Sequence, residues 1–364
     1  MLVSGLNDYD QLGESSNNKN FSETPCISPA LPSHLNASNL LSLSTYSAHS
    51  VNVNKDGQAF AVGDNSDCRI CATLPKTALR TDTEIKLTNK QIHSVKFMSA
   101  VCGEFYTLFL VTDDANENVQ LAYSYKDHED GPIFIDTDSS IPRYLFGGAK
   151  TSAAITLSGG IVIVTENIFQ APKAYIETVF LPNNDKAIKL ACCDKFILAL
   201  GSSGHVYECS ALHDDHPKFV EIPDFSGKEV VDIAGSHRHC FVVLNDGRVF
   251  GRGANEDCRL GMPQDTRYYQ DFVEISALKG NKIIAAFAGY VHSLFKTSDG
   301  KLLGCGSNFC GPLMQDGDLN VDPVFPPAEA KIAGPVCFCI AGNGTTIVFQ
   351  DELPKNTPNH RISE

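Results

Sequence analysis

No stretch of this chain approaches the ~20 consecutive apolar residues that a membrane-spanning helix requires. Its opening, MLVSGLNDYD, has no basic segment leading into an apolar one, so no secretory leader is expected. Basic residues are scarce as well: 29 Lys and Arg stand against 43 Asp and Glu, a formal net charge of −14. That balance disfavours a general nucleic-acid surface and makes basic proteins the easier partners. The sequence holds no P-loop, no G-x-G-x-x-G in a strand-to-helix setting and no G-x-S-x-G. Long amphipathic helices are also missing; 277–288 comes nearest, and Gly280 with its β-branched neighbours weakens it. No catalytic set, cofactor or metal is expected, and neither DNA nor a membrane is expected as a partner.

Cysteine, by contrast, is plentiful. Thirteen is an odd number, and without a leader it reads as reduced thiols in a cytoplasmic or nuclear protein.

The informative stretch is 235–261, GSHRHCFVVLNDGRVFGRGANEDCRLG. Two short β-prone runs flank Asn245-Asp246-Gly247, a strong hairpin signal because glycine supplies the positive φ of a tight turn. A lone hairpin is marginal in water. Here the unit recurs along the chain. His239, Gly247, Gly253 and Asn255 share their spacings with His49, Gly57, Gly63 and Asn65, and with His292, Gly300, Gly306 and Asn308. Asp56, Asp246 and Asp299 precede the turn glycines. Weaker copies place Tyr106, Thr151, Phe196 and Thr345 in the histidine slot. Gly103, Gly148, Gly289 and Gly342 stand three residues before their slots, and copy five has an extra residue between Gly235 and its histidine. Successive slots lie 57, 45, 45, 43, 53 and 53 residues apart, a period suited to propeller blades.

The seventh copy stops after Ile347-Val348-Phe349, and its missing half is expected at the other terminus. There Gly5, Asn7, Leu12 and Gly13 fit the slots of Gly253, Asn255, Leu260 and Gly261. A repeat divided between the termini implies a ring whose last blade is completed by the N-terminal strand. The expected architecture is all-β: a seven-bladed propeller over 1–352 with a polar tail at 353–364.

The phrase G-x-x-H-x-x-x-L-x-x-D-G-x-V-[FY]-x-x-G-x-N-x-x-x-x-L-G resembles the regulator of chromosome condensation repeat. His292, Leu294, Asp299, Gly300, Gly306 and Asn308 match it, as do His49, Asp56, Gly57, Gly63 and Asn65. The family's usual Trp before Gly-x-Asn is absent, and Val62, Arg252 and Cys305 stand there. The resemblance implies a protein-interaction propeller, a scaffold or regulator in signalling. Its sharper implication is nucleotide exchange on a Ran-like or other small GTPase, in which a protruding loop wedges at the nucleotide site. A chromatin-bound factor is disfavoured, because the chain shows no basic N-terminal arm. A monomer is expected.

Chemistry-bearing clusters have plain structural readings. Cys68-Arg69-Ile70-Cys71 lacks a second pair at zinc spacing, and both thiols fall where the repeat prefers glycine. His49, His239 and His292 occupy one slot of three blades, too far apart for a shared metal, and the resemblance implies an internal hydrogen bond between a strand and a neighbouring loop. His213-Asp214-Asp215-His216 reads as a solvated loop. The acidic loops, above all Asp127, Glu129, Asp130, Asp136 and Asp138 within 126–143, are the candidate partner-binding residues for a Lys/Arg-rich protein. That stretch is also the candidate wedge. Purified protein should carry no stoichiometric zinc and no Cys68–Cys71 disulfide; elemental analysis finding about one tightly held zinc per chain would overturn the structural reading of these thiols.

Overall fold

The computed structural model describes residues 2–6, 21–26, 39–71, 73–87, 95–113, 118–127, 129–137, 140–165, 176–212, 216–265, 267–315 and 323–350. Its strands form seven four-stranded antiparallel sheets, the blades of a propeller. In each blade strand A lies nearest the axis and strand D at the rim. Blade 5 shows the plan: A is Val230–Ser236, B is His239–Leu244, C is Val249–Ala254 and D is Tyr268–Glu274. Turns A–B and C–D share one face of the ring, and turn B–C and connection D–A share the other.

Local chemistry sets these turns. Gly247 has φ +91, and the Leu244 and Gly247 N–H groups donate to Arg248 and Leu244 carbonyls, closing the B–C hairpin. The glycine of Gly-x-Asn is needed for a different reason. A Cβ on Gly63, Gly253 or Gly306 would lie 2.2, 2.1 or 2.6 Å from the carbonyl oxygen of Ala48, Arg238 or Val291 in the A–B turn. Each has φ above +100, and the C–D pairing slips register there.

B strands are buried along both faces, as in Tyr106–Thr112, because each blade packs between two others. The apolar clusters accordingly straddle neighbours: Val51 and Val53 of blade 1 pack with Phe97, Phe109 and Val111 of blade 2. Where the family carries Trp, the Arg252 guanidinium lies 4.5 Å from the Phe196 ring and 4.7 Å from the Phe272 ring, and it pairs with Glu208.

Closure follows the divided repeat. Leu2–Leu6 pairs antiparallel with Thr345–Phe349 as strand C of blade 7, in the register Leu2↔Val348 to Gly5↔Thr345. Gly5 thus faces the slot residue as Gly253 faces His239 and Gly63 faces His49. Asn7, Leu12, Gly13 and 351–364 lie outside the described residues. Residues 14–40, polar and punctuated by proline as a connection would be, also hold a strand: Phe21–Cys26 is strand D of blade 7, paired with Leu2–Leu6. Copy five has no inserted residue. Ser236 itself occupies the leading slot opposite His239, and Gly235 precedes it.

Removing residues 1–13 would strip strand C from blade 7, expose the 345–349 edge and detach Phe21–Cys26. Loss of the buried Val3 alone is of the order of 2 kcal/mol, so the truncated chain should be several kcal/mol less stable. An unchanged melting temperature would show that closure does not depend on this strand.

Candidate interaction faces and the joints between blades

The repeat histidines are structural joints. His49 Nε2 lies 2.9 Å from Thr107 Oγ1, His239 Nε2 2.8 Å from Ser293 Oγ, and His292 Nε2 3.0 Å from Thr346 Oγ1. Each hydroxyl belongs to the next blade, one residue beyond that blade's own slot. Thr107 and Ser293 donate their protons to the Arg69 and Arg259 carbonyls at 3.0 and 2.7 Å. They therefore accept from the imidazoles, which fixes the neutral Nε2–H tautomer for His49 and His239. Burial, then the charge of Arg69, pushes the pKa of His49 down to about 3; burial and Arg259 do the same for His292. Burial, followed by Arg259, also lowers His239 far below its usual value.

The pentamer Asn-x-Asp-Cys-Arg, at 65–69 and again at 255–259, supplies the other half of the joint. Asn65 Oδ1 accepts from Ile70 and Cys71 N–H at 3.0 and 3.1 Å, and Asn255 Oδ1 accepts from Leu260 N–H at 3.2 Å. Asn308 Oδ1 accepts from Leu313 N–H at 3.1 Å, so one asparagine caps the C–D turn in all three blades. Arg69 is clamped by Asp67 through two bonds and donates to the Glu104 carbonyl of blade 2 at 3.1 Å. Arg259, held by Asp257, donates to the Tyr290 carbonyl of blade 6 at 3.0 Å. Sequence reading singled out the cysteines of this pentamer and passed over its Asp and Arg; the shared pentamer was the signal that could have found them. Cys68 and Cys258 are buried with φ of 65° and 56°, whereas Cys71 is buried without positive φ. Burial raises the pKa of both Cys68 and Cys71.

Near the axis, the residue after the strand A bulge joins blades directly. Ser42 and Ser99 hydroxyls meet at 3.0 Å, and Lys189 Nζ lies 2.6 Å from Asp232 Oδ1. Asp232 Oδ2 accepts from Ala286 N–H at 3.0 Å, so one buried carboxylate ties blades 4, 5 and 6. On the A–B face Tyr46 and Ser236 replace the leading glycine, and their hydroxyls meet at 3.2 Å from blades 1 and 5. They form a peg across the channel. Beside it His237 stacks on Tyr290 at 3.9 Å between ring centres and contacts Asp194 Oδ2 at 2.8 Å. Elsewhere on the joints, Gly103 and Gly289 leave room for the Tyr106 and His292 rings, and a Cβ on Gly148 would meet the Cys192 carbonyl.

The acidic residues of 126–143 do not form one cluster. Asp127, Glu129 and Asp130 lie in the C–D turn of blade 2, followed by strand D, Ile133–Ile135, which places Asp136 toward the opposite face, about 10 Å away. Asp127 N–H donates to the Asp67 carbonyl at 2.6 Å, and Glu129 Oε1 lies 2.6 Å from Lys76 Nζ, so the turn folds back on blade 1. Asp138 and 213–215 lie outside the described residues. Among the described residues no three His, Cys, Asp or Glu side chains are grouped to hold a metal, and no helix is long and apolar enough to cross a membrane.

A depressed histidine pKa makes the folded chain refuse protons that the unfolded chain accepts below about 6.5, so stability should fall as pH drops through 6.5 and level off near 3. Each joint histidine contributes a slope of about 1.4 kcal/mol per pH unit in that window. Urea titrations at pH 7, 6, 5 and 4 should show His292→Gln less stable at pH 7 but with a shallower acid loss; an equal slope would exclude the histidine as its source.

Comparison with known proteins agrees with this geometry. Residues 283–311, from the start of strand A of blade 6 into its C–D turn, match the model of the regulator of chromosome condensation (RCC1) repeat. The E3 ubiquitin-protein ligase HERC2 of Homo sapiens is 31% identical over 116 residues, 29% of this chain and 2% of that protein. The Mus musculus HERC2 aligns equally, so the chain spans about 2% of the length of these curated relatives. The structure of Prp20p from Saccharomyces cerevisiae superposes with a TM-score of 0.72 at 13% identity, over 95% of this chain and 90% of that one. Human WBSCR16 gives 0.71 at 14% identity, over 95% and 97%. Residues 283–311 therefore form a repeat of the regulator of chromosome condensation type, set in a closed seven-bladed propeller whose fold is that of these structures.

Proposed function

We propose that this propeller is a protein-interaction module, a scaffold or regulator that holds a protein partner on its loop faces. One observation carries the reading. The buried histidines, Arg69, Arg259 and the Lys189–Asp232 pair are all engaged in joining blades, which leaves the exposed loops as the chemistry available to a partner. A monomeric module in the cytoplasm or nucleus, without DNA or membrane as partner, fits this reading. The net charge of −14 favours a basic partner. Prp20p, which shares the fold, binds Gsp1p and histones.

The second reading is nucleotide exchange on a Ran-like or other small GTPase, supported by the same likeness to Prp20p. An exchange factor binds the nucleotide-free GTPase more tightly than the loaded form, and that difference drives release; a scaffold need not discriminate. In this reading Asp127, Glu129 and Asp130, at the C–D turn of blade 2, would take part in the contact. Release of labelled GDP from a panel of small GTPases, Ran-type first, separates the two. Acceleration of ~100-fold, lost when Asp127, Glu129 and Asp130 become Ala, would establish exchange and displace the passive scaffold. No acceleration across the panel would leave the scaffold.

A further inference from the structure

The blades provide their own comparison on the B–C face. There the first residue of the B–C turn donates its N–H to the carbonyl of a residue at or just before the start of strand A. The bond joins Lys55 to Asn39 (2.9 Å), Ser202 to Lys186 (2.8 Å), Asn245 to Glu229 (2.9 Å) and Ser298 to Lys282 (2.8 Å). All eight side chains are polar, as a solvent-facing turn demands. In blade 3 the same bond, at 2.8 Å, joins Leu157 to Ile141. These two are 59% and 46% exposed. Phe180, 56% exposed, follows strand D (Thr178–Val179) and lies against the same turn, since a Cβ on Gly160 would fall 2.9 Å from its ring.

Two cations flank these three residues. Arg143 is the bulged residue of strand A, between Pro142 and Tyr144 and opposite Ile155 and Thr156. Lys186 lies on the other side, its Cβ 2.7 Å from the place of a Cβ on Gly159. Both are exposed. Neither has an ion-pair partner among the described residues, whereas Arg69, Arg238, Arg248, Arg259 and Lys301 do. Arg143 instead lies over the Tyr144 ring at 5.4 Å. The adjacent carboxylate, Asp185, is taken up by Ser202, Ser203 and the Lys186 N–H, and Asp136 lies at the outer end of the connection that leads to Ile141.

Single exposed apolar residues are ordinary, but three large ones gathered on one turn, two at positions that are polar in four other blades, mark a surface that is covered in a complex. We propose that the B–C end of blade 3 docks a protein segment that presents bulky apolar side chains next to carboxylates. Leu157, Ile141 and Phe180 receive the apolar groups, and Arg143 and Lys186 meet the acids. The proposal rests on the interaction-module reading, but its acidic segment is a different occupant from the basic partner favoured by the net charge, because Arg143 and Lys186 make this end of blade 3 locally positive.

A random peptide library displayed on phage and panned on the purified full chain tests this surface alone. Enrichment of segments with Leu, Ile or Phe beside Asp or Glu is expected. By fluorescence anisotropy such a peptide should lose about tenfold or more in affinity for Leu157→Ser and for Ile141→Asn, which install the residue types of other blades. Lys186→Glu should weaken binding and reduce its salt dependence, and Ser298→Ala on blade 6 should leave it unchanged. Matching thermal melts would show that these variants fold. Basic or purely polar winners, equal binding to Leu157→Ser, or no enrichment would overturn the proposal. So would sedimentation showing a dimer that Leu157→Ser dissociates, because the occupant would then be a second copy. None of these failures bears on the module reading, which the GTPase panel addresses separately.

Discussion

Everything in this molecule depends on the pairing of the first strand with the last. A propeller blade is a four-stranded sheet whose inner strands are apolar on both faces, so it is stable only between two neighbours. An open array would leave two such faces and the 345–349 edge in water. Placing Leu2–Leu6 against Thr345–Phe349 removes that edge, and Val3 enters the apolar cluster that also holds Leu43, Phe338 and Ile347. The ends of the chain thereby become one continuous sheet.

Within the closed ring, polar joints tie particular blades to particular neighbours alongside the apolar clusters. An imidazole meets a hydroxyl of the next blade at three joints, and at two of them the hydroxyl proton goes to a backbone carbonyl, which fixes the donor directions there. The arrangement is reciprocal: the arginine of one blade gives hydrogen bonds to the next blade's turn and receives one at its own carbonyl. Such satisfied networks favour a single packing over the many that greasy surfaces alone would allow. Elsewhere other chemistries take over. Tyr106 reaches the Gly148 and Thr151 carbonyls at 3.0 Å each, and Arg252 packs between two phenylalanines.

The inner three strands of each blade were legible in the sequence, because their turns demand glycine at fixed spacing and their runs are apolar. The outermost strand was not. Tyr268–Glu274 has only partly buried or exposed residues along its whole length, and Phe21–Cys26 and Val324–Glu329 fall in polar or proline-rich stretches that read as connections. A rim strand has one neighbour and one solvent edge, so its sequence is free of the pattern that burial imposes. The residues of the proposed docking site were hidden for a related reason. Leu157 is unremarkable in a linear reading and becomes informative only beside Lys55, Ser202, Asn245 and Ser298, its counterparts in space. Asp130 and Asp136, six positions apart in the sequence, are separated by a strand.

The contact between Tyr46 and Ser236 has a consequence for the evolution of the ring. Propeller blades are interchangeable units, and duplication or loss of one would change the width of the axial channel. Here a single phenol spans from blade 1 to blade 5 and meets its partner at 3.2 Å. An eighth blade would draw the two hydroxyls apart, and a sixth-blade ring would drive the phenol into the opposite wall. The length of one tyrosine side chain is therefore matched to the circumference of a seven-bladed ring.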